Sequence, residues 1–79
     1  MRDQIEACHQ ALGSRIRLIR ETLGLSQEEL VKRLAGHKVT RASLANIETG
    51  RQRFLLDRVE DFARALGTTP KHLMKGIWW

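Results

Sequence analysis

Arg41 and Asn46 are the side chains in this sequence best suited to reading base edges. A guanidinium can donate two parallel bonds to guanine, and a carboxamide can pair with adenine. Ala42 and Ala45 lie between them, and the methyl of Ala42 can meet the methyl of thymine. The surrounding segment is cationic. Residues 32–53 carry Lys32, Arg33, Lys38, Arg41, Arg51 and Arg53 against Glu48 alone, a formal +5. Residues 1–31 hold four arginines and five acids, and residues 54–79 hold four bases and three acids. The net +5 of the whole chain therefore falls on that middle stretch. A polyanion-binding surface needs such an excess. Taken alone, the charge would favour a merely solvated face; its coincidence with two capped helices reverses that.

Other chemistries find less support. Cys8, His9, His37 and His72 lack the C-x-x-C and H-x-x-x-H spacings of structural metal sites, so no metal is expected. Cys8 falls on an apolar stripe and reads as a small core residue. Ser26 and Ser43 have capping or surface roles, with no histidine–carboxylate set to activate them. Glu60 and Asp61 are adjacent, so on a helix they point different ways and form no acid/base pair. No enzymatic activity and no cofactor are expected.

The elements that must position Arg41 and Asn46 are legible from their caps. In the stretch Leu25–Gly50, Ser26 is an N-cap, and Glu29 three residues later completes a capping box. Leu25 and Leu30 are spaced as a hydrophobic staple. Thr40 repeats the pattern, with Val39 before it and Leu44 four residues later. Gly50 is a left-handed stop. Two short helices joined by a turn follow, over about residues 27–35 and 41–49. Leu30, Val31, Leu34, Leu44 and Ile47 face inward; Arg41, Ala42, Ala45, Asn46 and Thr49 face outward.

Upstream, Ile5, Cys8, Leu12, Ile16, Ile19 and Leu23 recur in steps of three and four, which predicts one long helix from near Asp3 to Gly24. Gly13-Ser14 lowers its propensity without breaking its phase. Downstream, Arg51–Leu55 reads as a basic loop. A fourth helix begins near Asp57, capped with Glu60, and stops at Gly67. Thr69 caps a last short helix with Pro70 at its first position, and Gly76 ends it. The expected fold is all-α, a compact bundle of about five short helices in one domain spanning residues 1–79.

The segments SQEELVKRL and TRASLANIETGRQR, with IRLIRETLGLSQ before and LLDRVEDFARALGTTPKHLM after, resemble the Cro/CI-type (XRE-like) helix-turn-helix regulators. The likeness covers roughly residues 12–75. One departure is that Ala35-Gly36-His37-Lys38-Val39-Thr40 makes a longer turn than the family's usual one. The resemblance implies a lambda-repressor-like DNA-binding domain whose third helix enters the major groove. It implies base readout by Arg41, Ala42, Ala45 and Asn46. It implies a phosphate contact by Gln27; His37, Lys38, Thr40, Ser43, Thr49, Arg51 and Arg53 are candidates for further phosphate contacts, with minor-groove entry the alternative for Arg53 or Arg51. It implies a structural ion pair between Arg20 and Glu48, which would hide the lone acid of the basic segment.

Composition sets the remaining expectations. The chain has 79 residues, 42% of them hydrophobic, which is ordinary for a globular domain with a small core. It has no apolar run long enough to span a membrane and no secretory signal pattern. Its one cysteine cannot form an internal disulfide, which fits the cytoplasm. Leu73, Met74, Ile77, Trp78 and Trp79 are too apolar for a solvated tail, and are read as a homodimer interface. Cover for the domain's own core is the alternative. The expected function is a sequence-specific DNA-binding regulator, a repressor or controller, bound to a palindromic operator of double-stranded DNA as a homodimer. The alternative is an antitoxin-like or adaptor module whose apolar C-terminus masks a protein partner.

Overall fold

The computed structural model describes residues 2–34, 39–53 and 58–77, with side chains from Ala7 onward. Five helices follow in order: α1 (Arg2–Thr22), α2 (Gln27–Arg33), α3 (Arg41–Glu48), α4 (Val59–Ala65) and α5 (Pro70–Met74). Among the described residues there is no strand. α1 packs against α3 and α5, α2 against α3, and α4 against α5. All five helices give side chains to one core, from Leu12 and Ile16 on α1 through Leu30, Leu44 and Phe62 to Leu73 and Met74 on α5. The all-α bundle expected from the sequence is the observed architecture.

The α1 stripe is buried in its middle and exposed at its end. Leu12 and Ile16 are fully enclosed and Ile19 is half-buried, but Leu23 is 50% exposed. The sequence placed Leu23 at the end of one continuous apolar stripe. The helix stops at Thr22 and the chain turns at Gly24, where φ is +73°, so Leu23 leaves the face that α1 buries. Gly13 has a packing role that propensity hides. A Cβ there would stand 2.0 Å from the backbone oxygen of Ile47, so α1 and α3 approach to backbone contact at this point.

The C-terminal segment corrects the expected interface. Leu73 is wholly buried, Met74 is 8% exposed, and Ile77 packs half-buried against the same core. These residues fill the domain's own interior, because α5 lies against both α1 and α4. They are not an outward dimer face. Trp78 and Trp79 lie outside the described residues. Arg15 holds the segment from α1: its Nη1 donates to the backbone oxygens of Leu73, at 3.3 Å, and Lys75. Cys8 Sγ donates to the oxygen of Ile77 at 3.5 Å. At the start of α4, Arg58 occupies the N-cap position without a side-chain cap bond; Asp57, expected to cap this helix, lies outside the described residues.

Candidate nucleic-acid interface

Both helices of the central pair start on reciprocal caps. Ser26 Oγ accepts from the Glu29 N–H at 3.1 Å, and Glu29 Oε1 accepts from the Ser26 N–H at 3.0 Å. Thr40 Oγ1 accepts from the Ser43 N–H at 3.0 Å, and Ser43 Oγ accepts from the Thr40 N–H at 3.0 Å. Ser43 thus closes the second box where glutamate closes the first, a use of serine that its spacing from Thr40 allows but does not announce. Its hydroxyl also donates to the Thr40 oxygen at 3.0 Å, so its donor is spent within the cap. α3 ends in a Schellman turn: the Gly50 N–H donates to Ile47 O, and the Arg51 N–H to Asn46 O at 2.8 Å. Gly50 has φ +78°, and a Cβ there would meet Gln10 Cγ at 2.6 Å. The turn that launches Arg51 is therefore seated on α1.

Two buried ions fix α1 to α3. Arg20 is 8% exposed and Glu48 4%. Arg20 Nε donates to Glu48 Oε2 at 2.8 Å, and Nη2 donates to Oε1 at 2.9 Å, a two-bond fork. Arg20 Nη1 donates to Leu25 O at 2.7 Å, which ties in the turn before α2. The bond to Glu48 holds the Arg20 pKa above its ordinary value, against the opposing effect of burial. Gln27 joins this group: its Nε2 donates to Glu48 Oε1 at 3.1 Å. One carboxylate thus fastens the first residue of α2, the end of α3 and the last turn of α1. Nothing in the spacing of Gln27 and Glu48 points to that bond.

Around this frame, the outward edge of α3 is open. Arg41, Ala42 and Thr49 are exposed, and Ala45 and Asn46 are half-buried. Arg41 lies 3.8 Å from the exposed Glu28, a contact too solvated to hold it firmly. Thr49 Oγ1 donates back to Ala45 O at 3.0 Å. Arg51 and Arg53 are exposed beyond the end of α3. Lys32 is exposed on α2, whereas Arg33 turns to α4 and donates to Ala65 O at 3.0 Å. His37 and Lys38 lie outside the described residues. His9 on α1 is held below the usual histidine pKa, first by burial and then by the charge of Arg53. The basic loop after α3 therefore lies within electrostatic reach of α1. With Glu48 neutralised inside, Lys32, Arg41, Arg51 and Arg53 are exposed cations of the central segment, with Glu28 and Glu29 exposed at the start of α2.

The first cap carries a pH dependence. The Ser26 N–H, and then its hydroxyl, hold the Glu29 carboxyl below the usual glutamate pKa. A depressed carboxylate adds stability above its unfolded pKa, and that stability is lost as pH falls through the folded value. Stability measured by urea unfolding should therefore drop more steeply below pH 4.5 in the parent than in Glu29→Gln. Parallel curves would show that the cap does not depend on the charge.

A family model described as a helix-turn-helix domain matches residues 11–74, most of the chain. Neither a curated protein nor a solved structure matches it.

Proposed function

Because the chain belongs to the helix-turn-helix domain family and is in that sense a DNA-binding regulator, we propose that it is a sequence-specific transcriptional repressor or controller. It binds a palindromic operator as a homodimer, with α3 in the major groove. The observation that carries this reading is the α3 edge: a capped N-terminus, Arg41 and Ala42 exposed on it, and Arg51 and Arg53 beyond its end. Arg41, Ala42, Ala45 and Asn46 read bases. Gln27, Thr40, Arg51 and Arg53 contact phosphates, together with His37 and Lys38 from the turn; Ser43 and Thr49, whose hydroxyls already donate to backbone oxygens, do not. Gln27 has two amide N–H groups; with one held by Glu48, the other is presented in a fixed direction. The whole chain acts as one domain, without catalysis, in the cytoplasm. A masking role for the apolar C-terminus has less support, since Leu73 and Met74 are enclosed in the core.

The test is binding to the DNA upstream of the protein's own gene, compared with random duplex. Arg41→Ala and Asn46→Ala should each weaken specific binding by about 1–3 kcal/mol and random binding less. Arg51→Ala should weaken both alike. Log affinity should fall linearly with log salt, by about 0.9 per phosphate contact. Equal losses on both DNAs for all three variants would remove the readers, and a flat salt response would remove the DNA.

A further inference from the structure

With Leu73 and Met74 enclosed in the core, α1 offers another face for a dimer. Among the described residues two large apolar side chains are exposed, Leu18 at 64% and Leu23 at 50%. Leu18 lies on the open side of α1 with Ser14 and Thr22 exposed one turn to either side, small enough for a second helix to approach closely. The Thr22 hydroxyl donates to Leu18 O at 2.7 Å, so covering Thr22 would strand no donor. Arg17 and Glu21 flank Leu18 and pair along the helix at 3.4 Å, both more than half exposed. A pair this solvated contributes little where it is, and its partners are free to exchange.

We propose that two copies of the chain meet through this face, their α1 helices antiparallel across a two-fold axis level with residue 19, with each Arg17 opposite the partner's Glu21. The inference rests on the homodimer of the proposed function and supplies its interface. Charge order selects a second copy as the occupant. At a rise of about 1.5 Å per residue, Arg17 and Glu21 lie about 3 Å to either side of that level. An antiparallel copy therefore sets unlike charges face to face at both ends, the self-complementarity that a two-fold contact demands. A partner of one charge sign would meet repulsion at one of the two positions. The face also leaves α3 uncovered. Gly13 marks the side of α1 that abuts α3, and at about 100° per residue Leu18 lies about 140° around the helix from it.

Sedimentation of the full chain without DNA tests this, with circular dichroism as the check on folding. The parent should shift from monomer to dimer over a concentration series. Leu18→Glu, Arg17→Glu and Glu21→Arg should each stay folded and dimerise roughly tenfold or more weakly, through a buried charge or like charges opposed. The decisive arm mixes the last two. Each then carries one sign at both positions, so an Arg17→Glu copy and a Glu21→Arg copy should recover a dimer with each other that neither forms alone. Adding Leu18→Glu to both should abolish it. A parent that stays monomeric up to about 1 mM, a Leu18→Glu dimer of parental strength, or a mixture as weak as its components would each overturn the proposal. No DNA is present, so failure here is distinct from failure of the DNA-binding reading.

Discussion

Gly13→Ala is expected to lower the melting temperature of the domain by roughly 10–20 °C, the equivalent of about 3 kcal/mol in a chain of this size. The sign is informative because local preference points the other way. Alanine is favoured over glycine in a helix interior by about 1 kcal/mol. An alanine methyl at this position would stand 2.0 Å from the backbone oxygen of Ile47 and 3.0 Å from its carbonyl carbon. Both are backbone atoms of α3 and cannot swing aside as a side chain can. α3 must be pushed off α1, and it would take Arg41 and Asn46 with it. Thermal unfolding followed by circular dichroism decides the matter. A variant as stable as the parent would mean that α1 and α3 can separate at little cost.

Glu48→Ala is the second large effect. Removing one member of a buried ion pair leaves the other enclosed and uncompensated, at a cost of about 3–5 kcal/mol. Here Arg20 would lose two bonds and Gln27 its acceptor. A domain of 79 residues has a total stability of roughly 4–12 kcal/mol, so urea unfolding should show a much reduced midpoint. The double replacement Arg20→Met with Glu48→Leu should recover most of the loss, since two apolar groups of similar size leave no charge stranded. If the double variant is as unstable as Glu48→Ala, shape rather than charge holds this corner. With stability recovered, the double variant should still bind DNA more weakly than the parent, because Gln27 remains without its anchor.

Much of this architecture was legible because its signals are local. Ser26 and Glu29, Thr40 with Leu44, and Pro70 after Thr69 each announce a helix start within four residues, and each is found there. The Leu12–Ile16 stripe marked the buried side of α1 for the same reason. The misread features depend on residues distant in sequence. Gly13 read as a weak point in a helix because its reason, Ile47, lies on another element. The role of Arg15 has no local signal because the carbonyls it clasps belong to the last turns of the chain. Leu73 and Met74 read as an interface because apolar character does not say which surface will cover it. At the site, composition and family resemblance located the outward edge of α3. The carboxylate that aligns Gln27 became visible only once α1, α2 and α3 were brought together.

The clasp of Arg15 on the end of α5 also bears on synthesis. α1 is made first, yet one of its covers, α5, is the last of the five helices, and the clasp joins positions 58 residues apart. At about 5–20 residues per second, several seconds separate the emergence of Leu12 and Ile16 from that of their final neighbours. The nascent chain thus leaves the ribosome with its longest helix uncovered. The core completes itself only after Lys75 is free of the exit tunnel, so holdase chaperones have their opportunity until then.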